Sequence, residues 1–352
     1  MCLSVSCASL TPMQRRLAEV AQYAGVSEAT VSRVLNQRPG VAKATQELVL
    51  TALDVLGYER PTGLRGSRAR LVGLVLPELQ NPIFPAFAEV VADALAKRGF
   101  TPVLCTRTSA GISEAAYVEM LLEHQVSGVI FSGGLYAQGS ADHEHYLRLR
   151  ERGLPAVLVN AAYDDLGFPR ISTDDRSAVE QAVVHLRSLG HERIGMVLGP
   201  ADHIPSARKL AAFEELLGAP ELVERTMFST EGGQAAGTKL LRRGATAAVC
   251  ASDVLALGVI RGVRREGLRV PEGFSVVGFD DSMLMACTDP PLTTVRQPIE
   301  PMGRNAVTTL LSLVGGEAVS SEELLFEPEL VVRASTGPVA DVTRPLPAAA
   351  SM

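Results

Sequence analysis

The sequence predicts an all-α helix-turn-helix head followed by an α/β body of two doubly wound parallel-sheet lobes. Three observations predict it. Residues 15–36 carry two helical stripes broken by one glycine. From Leu71 onward, short apolar runs alternate with helical stretches, and the alternation restarts midway. Charge also divides at that point: residues 1–70 hold nine Lys/Arg against five Asp/Glu (+4), and the remainder 24 against 34 (−10), summing to the chain's −6.

In the head, Leu17, Val20, Ala21 and Ala24 recur at i, i+3, i+4 and i+7, the stripe of an amphipathic helix. Gly25 permits the left-handed corner that ends it, and Val26 can seal that corner with an apolar side chain. Ser27 is placed to cap a second helix, Glu28 to Asn36, which buries Val31, Val34 and Leu35. The face left over carries Glu28, Ala29, Thr30, Ser32, Arg33 and Asn36. Short hydrogen-bonding groups beside one long cation suit phosphates and base edges in a major groove. A third helix follows, roughly Lys43 to Leu56, with Leu48, Val49, Ala52, Leu53 and Leu56 on one side and Gly57 at its end. Two amphipathic helices joined by a glycine also occur in all-helical domains of other kinds. The third helix and the basic balance favour a small DNA-reading module.

Residues 1–13 read as a disordered extension, 14–58 as the head, and 59–70 (ERPTGLRGSRAR) as a polar, basic linker. Residues 71–337 are the two-lobed body and 338–352 a flexible tail. In the body, LVGLVL, TPVLC, GVIFS and AVLVN alternate with helices. The second set runs through a helix Asp175 to Leu189, IGMVL, AAVCA, a helix Val254 to Glu266, and SVVGF. A long helix from Ile299 to Val314 and a strand Glu329 to Arg333 come last. Strands of this kind joined by helices form parallel sheets through right-handed crossovers, and ligands sit beyond their carboxyl ends. Two facing lobes turn that edge into a cleft. The residues there are Asn81, Phe84, Asn160, Asp174, Asp175, His203, Arg208, Lys209, Asp253, Asp280 and Asp281. Carboxylates, amides and cations converging on one cleft suit a polyhydroxylated or charged small molecule. An Asp after a strand also often caps the next helix, and Asp175 and Asp281 are expected to do so.

The chain resembles the lactose-repressor (LacI/GalR) family of bacterial transcription regulators over nearly its whole length. The motifs are AEVAQYAGVSEATVSRVLN, LVGLVLPELQNPIF, HLRSLGHERIGMVLGP, ASDVLALGVIRGVRREGLRVPEGFSVVGFDD and PPLTTVRQP. The resemblance implies a cytoplasmic homodimer on double-stranded operator DNA, usually a repressor. Its body is like a periplasmic binding protein, and a small effector in the cleft changes DNA affinity. Sugars are the commonest effectors; purines, nucleosides and sugar phosphates are the alternative. Carried over by residue, Glu28 and Ala29 sit where members choose operator bases, and Arg33 where the recognition helix reaches the groove. Ser27, Thr30, Ser32 and Asn36 fall at its capping and backbone-contacting positions. Asp253 matches the effector-binding carboxylate; Asn81, Phe84, Asn160, Phe279 and Gln297 fall at or beside pocket positions. Three departures stand out. The linker is about three residues short and lacks N-x-x-A-R-x-L, leaving Leu64 as the candidate minor-groove wedge. Lys209, or Arg208 one residue off, stands where the family has an effector-binding Arg, beside His203. Ala42 replaces a Ser cap before the third helix.

Other classes find less support. G-x-S-x-G, the P-loop and H-E-x-x-H are absent, so no catalytic residue, cofactor or metal is assigned. Asp142-His143-Glu144-His145 reads as a solvated helix start rather than a metal site. The five Cys form no C-x-x-C pair, and Cys105 and Cys250 lie in apolar runs as reduced core residues. No apolar run approaches a membrane span, and residues 1–12 make a poor export signal. The tail lacks a leucine heptad, which favours a dimer over a tetramer.

Overall fold

The computed structural model describes residues 12–36, 38, 40–56, 58, 70–107, 111–160 and 166–339, the side chains of 12–16 and 54 excepted. Gly57, Leu64 and most of the expected extension, linker and tail lie outside the described residues. The chain divides into a head and a body at Arg70/Leu71.

In the head, α1 (Pro12–Ala24), α2 (Glu28–Leu35) and α3 (Lys43–Val55) enclose Val20, Ala21, Val31, Val34, Val49, Ala52 and Leu53. Helix α1 begins at Pro12, so Pro12 and Met13 belong to the head and not to an extension. Gly25 takes φ +66 at the corner, and Val26 packs against the core. Leu48 departs from expectation and is 56% exposed. Burial of Val49, Ala52 and Leu53 fixes the inward face of α3, and Leu48 points about 100° away from it. Leu35 is only half-buried.

The body begins with β1 (Leu71–Leu76), α4 (Ile83–Ala96), β2 (Thr101–Thr106), α5 (Glu114–Glu123), β3 (Gly128–Ser132), α6 (Glu144–Glu151), β4 (Ala156–Val159) and β5 (Arg170–Thr173). It continues through α7 (Asp175–Ser188), β6 (Ile194–Leu198), α8 (Ile204–Leu217), β7 (Val223–Arg225), α9 (Thr230–Arg242), β8 (Ala247–Cys250), α10 (Asp253–Arg265) and β9 (Ser275–Asp280). The last elements are β10 (Thr293–Arg296), α11 (Ile299–Val314), β11 (Glu323–Phe326) and β12 (Glu329–Val331). Two six-stranded sheets result, ordered β11-β5-β4-β3-β1-β2 and β12-β10-β9-β8-β6-β7. Every pairing is parallel except β10 with β12. Central strands such as GVIFS and AVLV are buried throughout, because helices cover both faces of each sheet.

The chain therefore passes between lobes three times: from β5 to α7, from β10 to α11, and from β11 to β12. Helix α11 was legible as a helix, but its place was not. It packs on α4 and the first sheet, adding Met302, Ala306, Val307 and Leu310 to the core of Leu74, Phe87, Val91 and Ile130. The other face of that sheet buries Phe131, Tyr136, Tyr146 and Leu149. Residues 338 and 339 also depart from the expected flexible tail, since Val339 N–H donates to Leu189 O at 3.0 Å. Cys105 and Cys250 are buried free thiols, as expected.

Helices α9 and α10 cross at backbone contact through facing glycines. A Cβ at Gly258 would lie 2.3 Å from Thr230 O, and one at Gly233 2.3 Å from Leu255 O. These neighbours are main chain and cannot swing aside. Gly258→Ala is therefore expected to cost about 1–3 kcal/mol of body stability, read as a lower urea midpoint at unchanged slope.

Candidate functional site

Two sites are placed by the fold, one on each unit. On the head, Ser27 caps α2, its Oγ accepting from Thr30 N at 3.2 Å and sharing a 2.9 Å bond with Thr30 Oγ1. Glu28, Ala29 and Arg33 are exposed, while Thr30 and Ser32 are half-buried. Asn36 Nδ2 turns onto its own helix and donates to Ser32 O at 2.8 Å. The surface of α2 thus presents one carboxylate, one methyl and one guanidinium on a scaffold fixed by Val31 and Val34.

In the body, a cavity of about 300 Å³ lies at the carboxyl ends of the strands of both sheets. The first sheet contributes Asn81 and Phe84 after β1, Gly133 and Gly134 after β3, Asn160 after β4, and Thr173 from β5. The second contributes His203 after β6, Ser252 after β8, Phe279 and Asp280 from β9, and Gln297 after β10. Asp175 and Lys209 add an ion pair to the wall, Phe228 and Met227 form an apolar side, and Glu78 and Arg107 add two further charged groups to the lining.

Asp280 organises this wall. Its carboxylate accepts from Gln297 Nε2 at 2.6 Å and from Asn81 Nδ2 at 3.2 Å. Gln297 Oε1 in turn accepts from Asn160 Nδ2 at 3.1 Å and Thr173 Oγ1 at 3.0 Å. The result is a continuous amide–carboxylate belt spanning both lobes. Burial pushes Asp280 up to about 6 against the pull of those hydrogen bonds. Its backbone is left-handed, φ +124, and so is that of Asp281 at φ +56. Such conformations cost about 1–3 kcal/mol each in non-glycine residues and persist where surrounding contacts over-determine them. Here Asp281 is gripped by Arg296 Nε at 2.8 Å and Arg333 at 2.6 Å.

The second polar feature is a buried ion pair between Lys209 Nζ and Asp175, with the ammonium 3.9 Å from the centre of the Phe279 ring. Burial pushes Asp175 up, and Lys209 opposes it. His203 is lowered to about 4 by burial and then by Lys209, so its imidazole is neutral at physiological pH. Its Nδ1 shares a 2.9 Å hydrogen bond with Ser206 Oγ. Across the mouth, Gly139 N–H of the first lobe donates to Asp202 O of the second at 2.8 Å.

Nine of the thirteen residues expected at the cleft therefore line the cavity: Asn81, Phe84, Asn160, Asp175, His203, Lys209, Phe279, Asp280 and Gln297. Asp174, Arg208, Asp253 and Asp281 do not. Asp174 caps α7 instead, accepting from Arg176 N at 3.0 Å and Ser177 N at 3.1 Å. Arg208 points away from the cavity and pairs with Glu323. Asp253 lies behind the wall, where it accepts from Thr294 Oγ1 at 2.6 Å and Ser282 N at 3.0 Å. Gly278 makes that position possible, since a Cβ there would be 2.5 Å from Asp253 Oδ1. Burial, then the nearby Asp280, raises Asp253 well above the ordinary carboxyl range.

The two expected caps also change roles. Asp175 is a cleft residue one position inside its helix, and Asp281 anchors two arginines. The histidine run starts α6 with Asp142 and Glu144 exposed as expected, but it is not solvated throughout. His145 is buried with Glu114, whose carboxylate also accepts from Tyr146 OH and from Leu135 N at 3.2 Å. This network braces the turn that follows Gly134. Among the described residues no acidic, His or Cys cluster could hold a metal ion, and no helix is long and apolar enough to cross a membrane. Sequence reasoning placed Asp280 among the strand-end residues of the cleft but passed over Thr173. The usable signal for Asp280 was its place as the last residue of an apolar strand, whereas Asp253 opens a helix.

Comparison with known proteins places both units. A profile described as bacterial regulatory proteins, lacI family, matches residues 16–61, and a periplasmic binding protein-like domain matches 183–336. The chain is 54% identical over 335 residues to the HTH-type transcriptional regulator reg1 of Streptomyces lividans, covering 92% of this chain and 97% of that one. It is 53% identical over 334 residues to the HTH-type transcriptional regulator MalR of Streptomyces coelicolor, with the same coverage. Among solved structures, the regulator CelR in complex with cellobiose matches with TM-score 0.67 and 33% identity, over 91% of this chain and 99% of that one. The lac repressor dimer bound to operator and the anti-inducer ONPF matches with TM-score 0.68 and 29% identity, over 91% and 98%.

The two shifted groups have opposite linkage. Asp280 is raised from 3.8 to about 6, so its folded form holds the extra proton and its contribution to stability falls as pH rises through that window. His203 is lowered from 6.5 to about 4, so its contribution falls as pH drops through that window. The two slopes oppose each other in the wild type. Asp280→Asn removes one of them. Its unfolding free energy relative to wild type should therefore climb between pH 4 and 6, by up to about 3 kcal/mol, and level off above 7. A pH-independent difference in chemical denaturation would contradict the assignment.

Proposed function

This chain belongs to the lacI family of bacterial regulatory proteins, and from that premise we propose that its hold on an operator is set by a neutral carbohydrate bound between the two lobes. It is a transcriptional regulator, not an enzyme. The finer reading is of a homodimeric repressor, acting in the cytoplasm on double-stranded DNA, with α2 of each protomer in a major groove. Glu28, Ala29 and Arg33 read bases, while Ser27, Thr30, Ser32 and Asn36 hold the helix and meet the backbone.

The observation that carries the effector reading is the pairing of charges in the cleft. Lys209 is matched by Asp175, Arg107 lies beside Glu78, and His203 is neutral. Among the described lining residues the buried ammonium is already paired and the imidazole is neutral, so that wall offers a phosphate no free cation; Arg107 is the lining cation without an ion pair. The remaining polar groups are the amides of Asn81, Asn160 and Gln297, with Asp280 and Thr173. These match hydroxyl groups, which both donate and accept. Phe84, Phe228 and Phe279 supply apolar walls for the C–H faces of a sugar ring. Solved relatives hold cellobiose and ribose, which agrees with this class.

In a thermal-shift and calorimetry panel, neutral mono- or disaccharides should stabilise the protein, by about 2.7 kcal/mol at a hundredfold excess over Kd. Asp280→Ala should abolish that stabilisation. Stabilisation by sugar phosphates or nucleosides alone would sink the carbohydrate reading. On DNA, Arg33→Ala should cost about 1–3 kcal/mol on the operator and relax one base position. An equal loss on scrambled duplex would reduce Arg33 to a phosphate contact.

A further inference from the structure

Arg208 was expected to meet the effector, and its actual partner sits on the other lobe. Helix α8 belongs to the second lobe, whereas Glu323 opens β11, which pairs with β5 at the edge of the first sheet. Arg208 NH1 and NH2 donate to the two Glu323 oxygens at 2.8 Å each. Glu323 Oε1 also accepts from Ser172 Oγ at 2.5 Å. Hydrogen bonds from Arg208 and Ser172 outweigh the upward push of burial and hold the Glu323 carboxyl below its ordinary range. The side chains are only 34% and 15% exposed. This is the planar, two-bond geometry that makes an arginine pair rigid, unlike a solvated surface pair.

Its surroundings give the pair a role. Arg208 is adjacent in sequence to Lys209, and Ser172 to Thr173; both neighbours line the cleft. The pair also stands beside two of the three chain crossings, β5 to α7 and β11 to β12. Gln181 of α7 ties down the second of these, donating to Pro328 O at 2.9 Å and accepting from Leu330 N at 2.8 Å. A ligand that displaces Lys209 or Thr173 must therefore strain or relax the Arg208–Glu323 bonds.

We propose that Arg208 and Glu323 are positioning residues, an inter-lobe clamp that sets the angle between the lobes and lets that angle respond to what the cleft holds. The link from lobe angle to operator affinity rests on the regulatory reading above; the clamp itself does not.

The test uses the full-length protein as R208A, E323Q and the exchanged pair R208E with E323R. Hydrogen exchange at 172–176 and 323–331 should accelerate about tenfold or more in each single variant, with 128–132 and 247–250 unchanged, and should return toward wild type in the exchanged pair. Exchange that is unaltered, or that rises equally everywhere, would overturn the clamp. Operator affinity of the effector-free dimer should change at least about fivefold in the single variants and recover in the exchanged pair. Unchanged affinity would overturn the coupling. If the wild type shows no operator preference, the regulatory reading fails, and the exchange measurement alone still decides the clamp.

Discussion

The hydrogen bonds around the Asp280 carboxylate are the interaction on which the body's cleft depends. A carboxylate buried without partners would neutralise or be expelled, so the amide of Asn81 from one lobe and that of Gln297 at a crossing segment both converge on it. Gln297 then has its own carbonyl oxygen committed to Asn160 and Thr173. Five strand ends in two sheets are thereby brought into one hydrogen-bonded belt. The left-handed backbone at Asp280 and Asp281 is the strain this convergence requires, and the two arginines on Asp281 hold it in place.

That belt also ties the two lobes together around the cleft. The chain crosses between them three times, so neither lobe is a continuous segment, and α11 from late in the chain completes the first lobe's core. Rotation of one lobe on the other moves several strand ends together. Residues at the crossings, including Ser172, Glu323 and Gln181, feel any such rotation directly. The buried Lys209–Asp175 pair limits what can drive it. A neutral hydroxylated molecule can replace or extend the belt's hydrogen bonds without leaving an ion uncompensated.

The head obeys a simpler rule. Val31 and Val34 fix which side of α2 faces inward, and the capping bonds of Ser27 and Thr30 fix where the helix starts. What remains outside is the face proposed to read DNA. This was legible in sequence because the cap and the spacing of Val31 and Val34 are local, within three to four residues, although their burial is against α1 and α3. Leu48 is the counter-example. It is apolar and lies next to the inward stripe of α3, yet it faces solvent, because the burial of Val49, Ala52 and Leu53 had already set the helix rotation.

In the body, periodicity and run length by themselves determined the central strands and the long helices, including α11 at Ile299 to Val314. Apolar runs of four to six residues bounded by turn signals fit strands covered on both faces. Edge and crossing strands were not determined that way: Glu323 to Phe326 has two of its four side chains exposed, and Val223 to Arg225 is only three residues long. Nor could sequence decide which carboxylate faces the cavity. Asp253 and Asp280 both follow apolar runs, and Asp174 and Asp175 are neighbours. Tertiary structure chose between them. A glycine opposite Asp253 lets that group sink behind the wall, and a buried lysine 34 residues from Asp175 turns that group into the cleft. Local pattern reports what a residue can bury, and only the assembled neighbours decide which way its charge must point.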